Sequence, residues 1–262
     1  MSLNSPLLRR CLLALVLLPV AALAAAPAPE PVRVLVEDAA SPWSDHKGVG
    51  MANDLVRAAF AAAGAPARLV VVPYARCKAL VLNGAAPSCF SMSAAPELVG
   101  AVRFADKPLF SVTAQFYAAR HGAGAPTSLA ELRPGMRLGI VHGYEYPPEI
   151  TALEKRGIVL ETARSEVINL RKLAAGRLDL AVVMTDPLRS AAMLERQAEV
   201  SGVAQVFMGP SMASYIGFST ANPDGERQRQ LFNAGFKAIA DNGERQKIEA
   251  RWKLLCASYC PE

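Results

Sequence analysis

The order in which apolar runs and helix signals alternate constrains this chain most. Residues 32–36 form a short continuous apolar run, as a buried strand requires. Residues 51–63 have helical periodicity, with Leu55, Ala58, Ala59 and Ala62 on one face and Gly64 as a stop. A second strand follows at 68–72, and a helix begins at Pro73-Tyr74-Ala75-Arg76 and runs to Asn83-Gly84. The run Cys89-Phe90-Ser91-Met92 is the third strand. A β-α-β-α-β series of this kind implies a parallel sheet with right-handed crossovers.

The pattern then recurs without any sequence repeat. Ser128-Leu129-Ala130-Glu131 has the spacing of a capping box and begins a short helical turn. Strands are predicted at 137–141, 159–162 and 178–184. One helix follows Pro147-Pro148, and another, capped by Ser165, covers about 166–175. Asp186-Pro187 has the form of a further helix start, an acid cap followed by a first-turn proline. A last strand at 215–219 leads into helices at 224–240 and 244–252, broken at Asp241-Asn242-Gly243.

With 52% hydrophobic and 19% charged residues, the chain can bury a large core and is not disordered. Residues 1–24 read as a cleaved secretory signal peptide: Arg9 and Arg10 precede an apolar stretch, and Ala22-Leu23-Ala24 offers a small-x-small cleavage site. Residues 25–30 are a Pro/Ala leader. The expected location is therefore the periplasm. The net charge of +5 falls further once the two leader arginines are removed, too small a surplus to argue for nucleic acid. The three histidines (His46, His121, His142) lie far apart, and no cysteine spacing matches a zinc site, so neither metal nor cofactor is expected.

Several segments resemble the family 3 extracellular solute-binding proteins, the periplasmic type II binding proteins of ABC transporters. In that family a strand ends at a ligand cleft, a T-P-E-R turn follows, and an F-S-D-P-Y segment leads to a hinge. Here the corresponding residues are Cys89-Phe90-Ser91-Met92, Ala95-Pro96-Glu97-Leu98 and Val102-Arg103-Phe104-Ala105-Asp106. The family's closing D-G break and K-W helix end match Asp241-Asn242-Gly243 and Arg251-Trp252. The resemblance implies an α/β protein of two lobes, each a mostly parallel sheet flanked by helices. Lobe one would hold 31–117 plus 212–262 and lobe two 118–211, with two hinge crossings near Phe116 and Met212. It implies a monomer that captures a small polar ligand and hands it to an ABC transporter permease.

Four cysteines survive cleavage and permit three pairings in an oxidising compartment. Cys77 and Cys89 stand on adjacent elements of lobe one and are expected to pair. Cys256 and Cys260 then remain, at a helical spacing that strains a disulfide.

Loops after the strands of such sheets line the cleft. Glu37, Asp38 and Trp43 follow the first strand; Trp43 either stacks on a ligand or packs its loop. Tyr74, after the second strand, is a stacking aromatic or a core cover. Arg76 is a candidate anion contact or a solvated first-turn residue. Ser91 and Ser93 end the third strand and offer hydroxyl and carbonyl groups. Tyr144 and Glu145 stand where the family's G-S-T turn supplies donors to a carboxylate, and Glu145 repels an anion. Asp186 resembles the acid that holds a ligand's ammonium group, or is only a cap. Leu98 replaces the arginine that clamps an α-carboxylate in a forked pair. A binding protein for a neutral or cationic solute, not an enzyme, is therefore expected. The competing readings are a dehydratase on the same scaffold, with Glu145 as its acid, and a sensor or accessory binding protein.

Overall fold

The computed structural model describes residues 30–119 and 124–259. The proposed signal peptide, all of the leader except Glu30, and Cys260 lie outside the described residues. In chain order the elements are β1 (Val32–Glu37), β2 (Ala39–Ala40), β3 (Ser44–Asp45), α1 (Met51–Ala62), β4 (Ala67–Val72), α2 (Tyr74–Leu82), β5 (Ser88–Met92), β6 (Val102–Phe104) and β7 (Phe110–Ala119). They continue with β8 (Arg137–Val141), α3 (Pro148–Thr151), β9 (Val159–Ala163), α4 (Glu166–Ala174), β10 (Leu180–Thr185), α5 (Ala191–Ala198), β11 (Val203–Ser219), α6 (Gly225–Asp241) and α7 (Glu244–Tyr259).

Val34, Leu35 and Val36 are fully buried because β1 lies between two neighbours, parallel to both β4 and β5. A continuous apolar run is what a strand covered on both faces needs. In the second half, β8 is likewise parallel to β9 and β10. The two parallel blocks join in the order β4-β1-β5-β11-β7-β10-β8-β9. β11 makes that join. Val203–Ser214 pairs antiparallel with β7, and Tyr215–Phe218 pairs antiparallel with β5. One 17-residue strand thus serves both lobes.

Helices cover the sheets. α1 lies against α6 so closely that a Cβ on Gly235 would stand 1.8 Å from the Ala59 carbonyl oxygen. Phe60, Phe232 and Phe236 fill the same layer, with Phe232 and Phe236 stacked at 5.1 Å. Trp252 closes the first lobe from α7: its indole nitrogen donates to Asp54 at 2.7 Å. Among the described residues, no helix is long and apolar enough to cross a membrane.

Several local expectations fail for identifiable reasons. Asp186-Pro187 starts no helix. The Asp186 carboxylate instead accepts from the backbone of Leu188 (2.8 Å) and Arg189 (3.1 Å), forming a capped turn, and α5 begins later under Ser190. The final strand begins at Val203 rather than Tyr215, because register shifts around Gly209-Pro210 let the strand continue through two residues that disfavour pairing. The short helical turn expected after Ser128 is present as a 3-10 turn over Leu129–Glu131, but without its capping box. Glu131 accepts from the Thr127 backbone and hydroxyl, both at 2.9 Å, so the Ser128 box does not form.

Cys77 and Cys89 are bonded, tying α2 to β5 across 12 residues. Closing a loop of that length contributes about 3 kcal/mol in the chain-entropy picture. Non-reduced peptide mapping should recover this linked pair. Reduction, or a Cys77→Ser/Cys89→Ser double substitution, should lower stability by about that amount, and no loss would show the bridge to be idle.

Candidate functional site

The carboxyl ends of β1 and β5 and the turn after β8 face one another across the gap between the lobes. They enclose a cavity of about 40 Å³, lined in part by Glu37, Trp43, Ser91, Ser93, Tyr144 and Glu145. Six expected site residues therefore come together.

Two carboxylates dominate the cavity, one from each lobe. Glu37 ends β1 and is 2% exposed. Loss of solvent pushes its pKa up to about 8, against the opposing effect of the hydrogen bond from the Tyr144 hydroxyl. Glu145 comes from the turn after β8 and reaches into lobe one. One oxygen accepts from the Tyr74 hydroxyl (2.6 Å) and the Ser93 backbone N–H (3.0 Å), and the other lies 2.8 Å from Lys78 Nζ. Burial raises the Glu145 carboxyl, offset in part by Lys78. Each phenol is itself held neutral by burial beside a carboxylate.

Trp43 is largely committed to the protein. Its ring stacks on Phe110 at 4.7 Å, and the Arg189 guanidinium lies 5.2 Å from its centroid. Its indole N–H donates to Asp186 at 2.8 Å, across the cleft. Asp186 thus grips the wall of the cavity and does not line it; burial raises its carboxyl despite that bond. Tyr74 likewise stands behind the wall, edge-on to Tyr144 at 5.2 Å. Asp38 pairs with Arg164 of the other lobe at 2.7 Å, beside an adjoining cavity of about 290 Å³. Arg76 is exposed and absent from the lining of the central cavity. Two residues from Tyr74 on one helix, it cannot share Tyr74's face. Leu98 is fully buried against the Cys77–Cys89 layer, so no guanidinium enters the cleft from that turn.

Other parts of the wall escaped the sequence reading. Ala40, Phe110, Val112, Met184, Met212 and Ser214 complete the lining. The Ser91 and Ser214 hydroxyls are buried and make no hydrogen bond with the described residues. Behind the wall, Arg189 and Glu166 form a buried ion pair. Lys78 had a legible signal, since it lies one helical turn after Tyr74. Ser214 had none, because the place where β11 changes partner depends on pairing with distant strands.

The sequence matches no protein-family profile and no curated protein. Solved structures do match. A histidine kinase sensor domain with similarity to periplasmic binding proteins aligns with a TM-score of 0.73 at 19% identity, covering 86% of this chain and 96% of that one. An ancestral arginine-binding protein bound to arginine aligns with a TM-score of 0.72 at 19% identity, covering 86% and 99%. An ancestral amino-acid-binding protein, described as a precursor of cyclohexadienyl dehydratase, gives 0.66 at 18% identity, covering 85% and 94%. At these identities the likeness is one of fold: this chain has the two-lobed α/β fold of the periplasmic amino-acid-binding proteins.

Proposed function

We propose that this is a periplasmic solute-binding protein that closes its two lobes over a small polar ligand, neutral or cationic, and delivers it to an ABC importer. The observation that carries this reading is the lining of the central cavity: two carboxylates, three aromatic rings and two unpaired hydroxyls, with no lysine or arginine. A cation entering there meets ring faces and the Glu37 carboxyl, which a positive charge beside it would induce to release its proton, in a site shielded from water, where such attractions are strongest. A ligand carboxylate would lie beside Glu145, which already engages Lys78, with no guanidinium among the lining residues to pair with. Strand pairing supports a lobe division near residue 109 and near residue 214, where β11 changes partner, rather than at 117/118 and 211/212.

A thermal-shift screen of small amines, sugars and the standard amino acids, confirmed by calorimetry, tests the ligand class. A true ligand at 100 times its dissociation constant adds about 2.7 kcal/mol. Cationic or neutral solutes should give such shifts. Sub-micromolar binding of an unmodified, uncharged-side-chain α-amino acid would overturn the ligand class, and absence of any binder would overturn the transport reading.

A second reading has one supporting observation. Glu37, buried and holding its proton to about pH 8, could act as the acid of a dehydratase in place of Glu145, which Lys78 already engages. Turnover of cyclohexadienyl substrates that disappears in Glu37→Gln would favour it.

A further inference from the structure

Three groups of the first lobe converge on the two oxygens of Glu145, which belongs to the second. They are the Tyr74 hydroxyl at 2.6 Å, the Ser93 backbone N–H at 3.0 Å and the Lys78 ammonium at 2.8 Å. An ammonium, a phenol and a backbone N–H around one carboxylate form a carboxylate receptor. We propose that lobe one carries a binding site for a small free carboxylate, which Glu145 fills as a built-in ligand to hold the lobes closed. This inference rests on the two-lobed cleft and not on which solute the protein transports.

The donors of the receptor are tied together within lobe one, where Lys78 also pairs with Glu97 at 3.2 Å. Tyr74 and Lys78 stand four residues apart on one face of α2, and Ser93 directly follows β5. The Cys77–Cys89 bridge joins those two elements between the donors, so their spacing does not depend on lobe two. Preorganised donors lose little freedom on binding, so the site retains affinity for a carboxylate that arrives from solution. Lys78 also donates to the Gly143 carbonyl at 3.2 Å. Gly143 itself has φ +86°, and a Cβ there would come within 2.9 Å of the Ala75 Cβ. The turn carrying Glu145 can therefore seat directly on the start of α2, which a bulkier residue at 143 would prevent.

Acetate is the probe, titrated at constant ionic strength against chloride. Wild-type protein should respond to acetate no more than to chloride, because Glu145 holds the site. Glu145→Ala should bind acetate at least tenfold more tightly than wild type does. X-ray scattering should show this variant with a larger radius of gyration that contracts when acetate is added. Adding Lys78→Met should abolish both effects. A folded Glu145→Ala protein that ignores acetate, a wild-type protein that binds it equally well, or a double variant that keeps the response would each overturn the proposal. If Glu145→Ala does not fold, Glu145→Gln decides: it keeps the shape, loses the charge, and should expand the radius of gyration, whereas an unchanged radius overturns the proposal. None of these outcomes depends on the solute screen, so the two ideas fail separately.

Discussion

Replacing Arg189 with methionine should destabilise the protein by about 3–5 kcal/mol, the usual loss when one partner of a buried ion pair is removed. The Arg189 and Glu166 side chains are 2% and 1% exposed, and they are bonded to each other. Glu166 also accepts from the Met184 backbone at 2.6 Å, and Arg189 donates to the Met184 carbonyl at 3.2 Å. Methionine matches much of the arginine's volume but leaves the carboxylate charged, buried and without its cation. For a chain of this size the loss should lower the melting temperature by about 10 °C. Removing the charge as well, in Arg189→Met/Glu166→Gln, should recover a good part of it, because the pair mainly cancels its own desolvation. Urea unfolding of both single variants and the double gives the coupling directly. Additive losses, or a loss under about 1 kcal/mol for Arg189→Met, would mean the pair is far more hydrated than its burial indicates. The same arginine lies over Trp43, so the single variant should also weaken lobe closure.

The second large effect concerns Glu37 and pH. Its carboxyl ionises near 4.5 when solvated and near 8 in the closed protein, where burial disfavours the charge. Between those values the folded state keeps a proton that the unfolded chain has released, so stability falls as pH rises from about 4.5 to 8 and then levels off. The full displacement corresponds to roughly 5 kcal/mol, an upper bound, since a slight opening of the lobes lets water reach the group. Glu37→Gln removes the ionisation while leaving an amide oxygen for the Tyr144 hydroxyl. It should match wild type near pH 4.5 and exceed it by about 2–4 kcal/mol at pH 8.5. Denaturation at pH 4.5, 7 and 8.5 measures the difference, and parallel pH profiles for the two proteins would refute the assignment. Because opening hydrates Glu37, wild-type lobes should also separate more readily at alkaline pH.

Much of the architecture was legible because it is written in local periodicity. Apolar runs too short for helices, each followed by a helical face and a glycine stop, required a parallel sheet twice over, and both parallel blocks are present. The adjacency of α2 and β5 was equally local, and with it the Cys77–Cys89 bridge. Six of the residues named at strand ends come together because the carboxyl ends of the parallel strands face the gap between the lobes. Glu37, Trp43, Ser91, Ser93, Tyr144 and Glu145 all line it.

What the sequence by itself determined, then, is the order of the elements, the two parallel blocks and the loops that face each other. Only the tertiary structure decided which groups meet across the gap. Arg76 and Lys78 are both cations near Tyr74, yet helix phase turns one to solvent and the other onto Glu145. Trp43 and Asp186 stand 143 residues apart, and only lobe closure makes them partners. β11 could be read as a strand only in its final residues, because its first half depends on pairing with β7 rather than on its own composition. Local periodicity follows from the backbone geometry of each segment. The contents of the cleft depend on long-range pairing and on the loss of water, and no stretch of sequence encodes these alone.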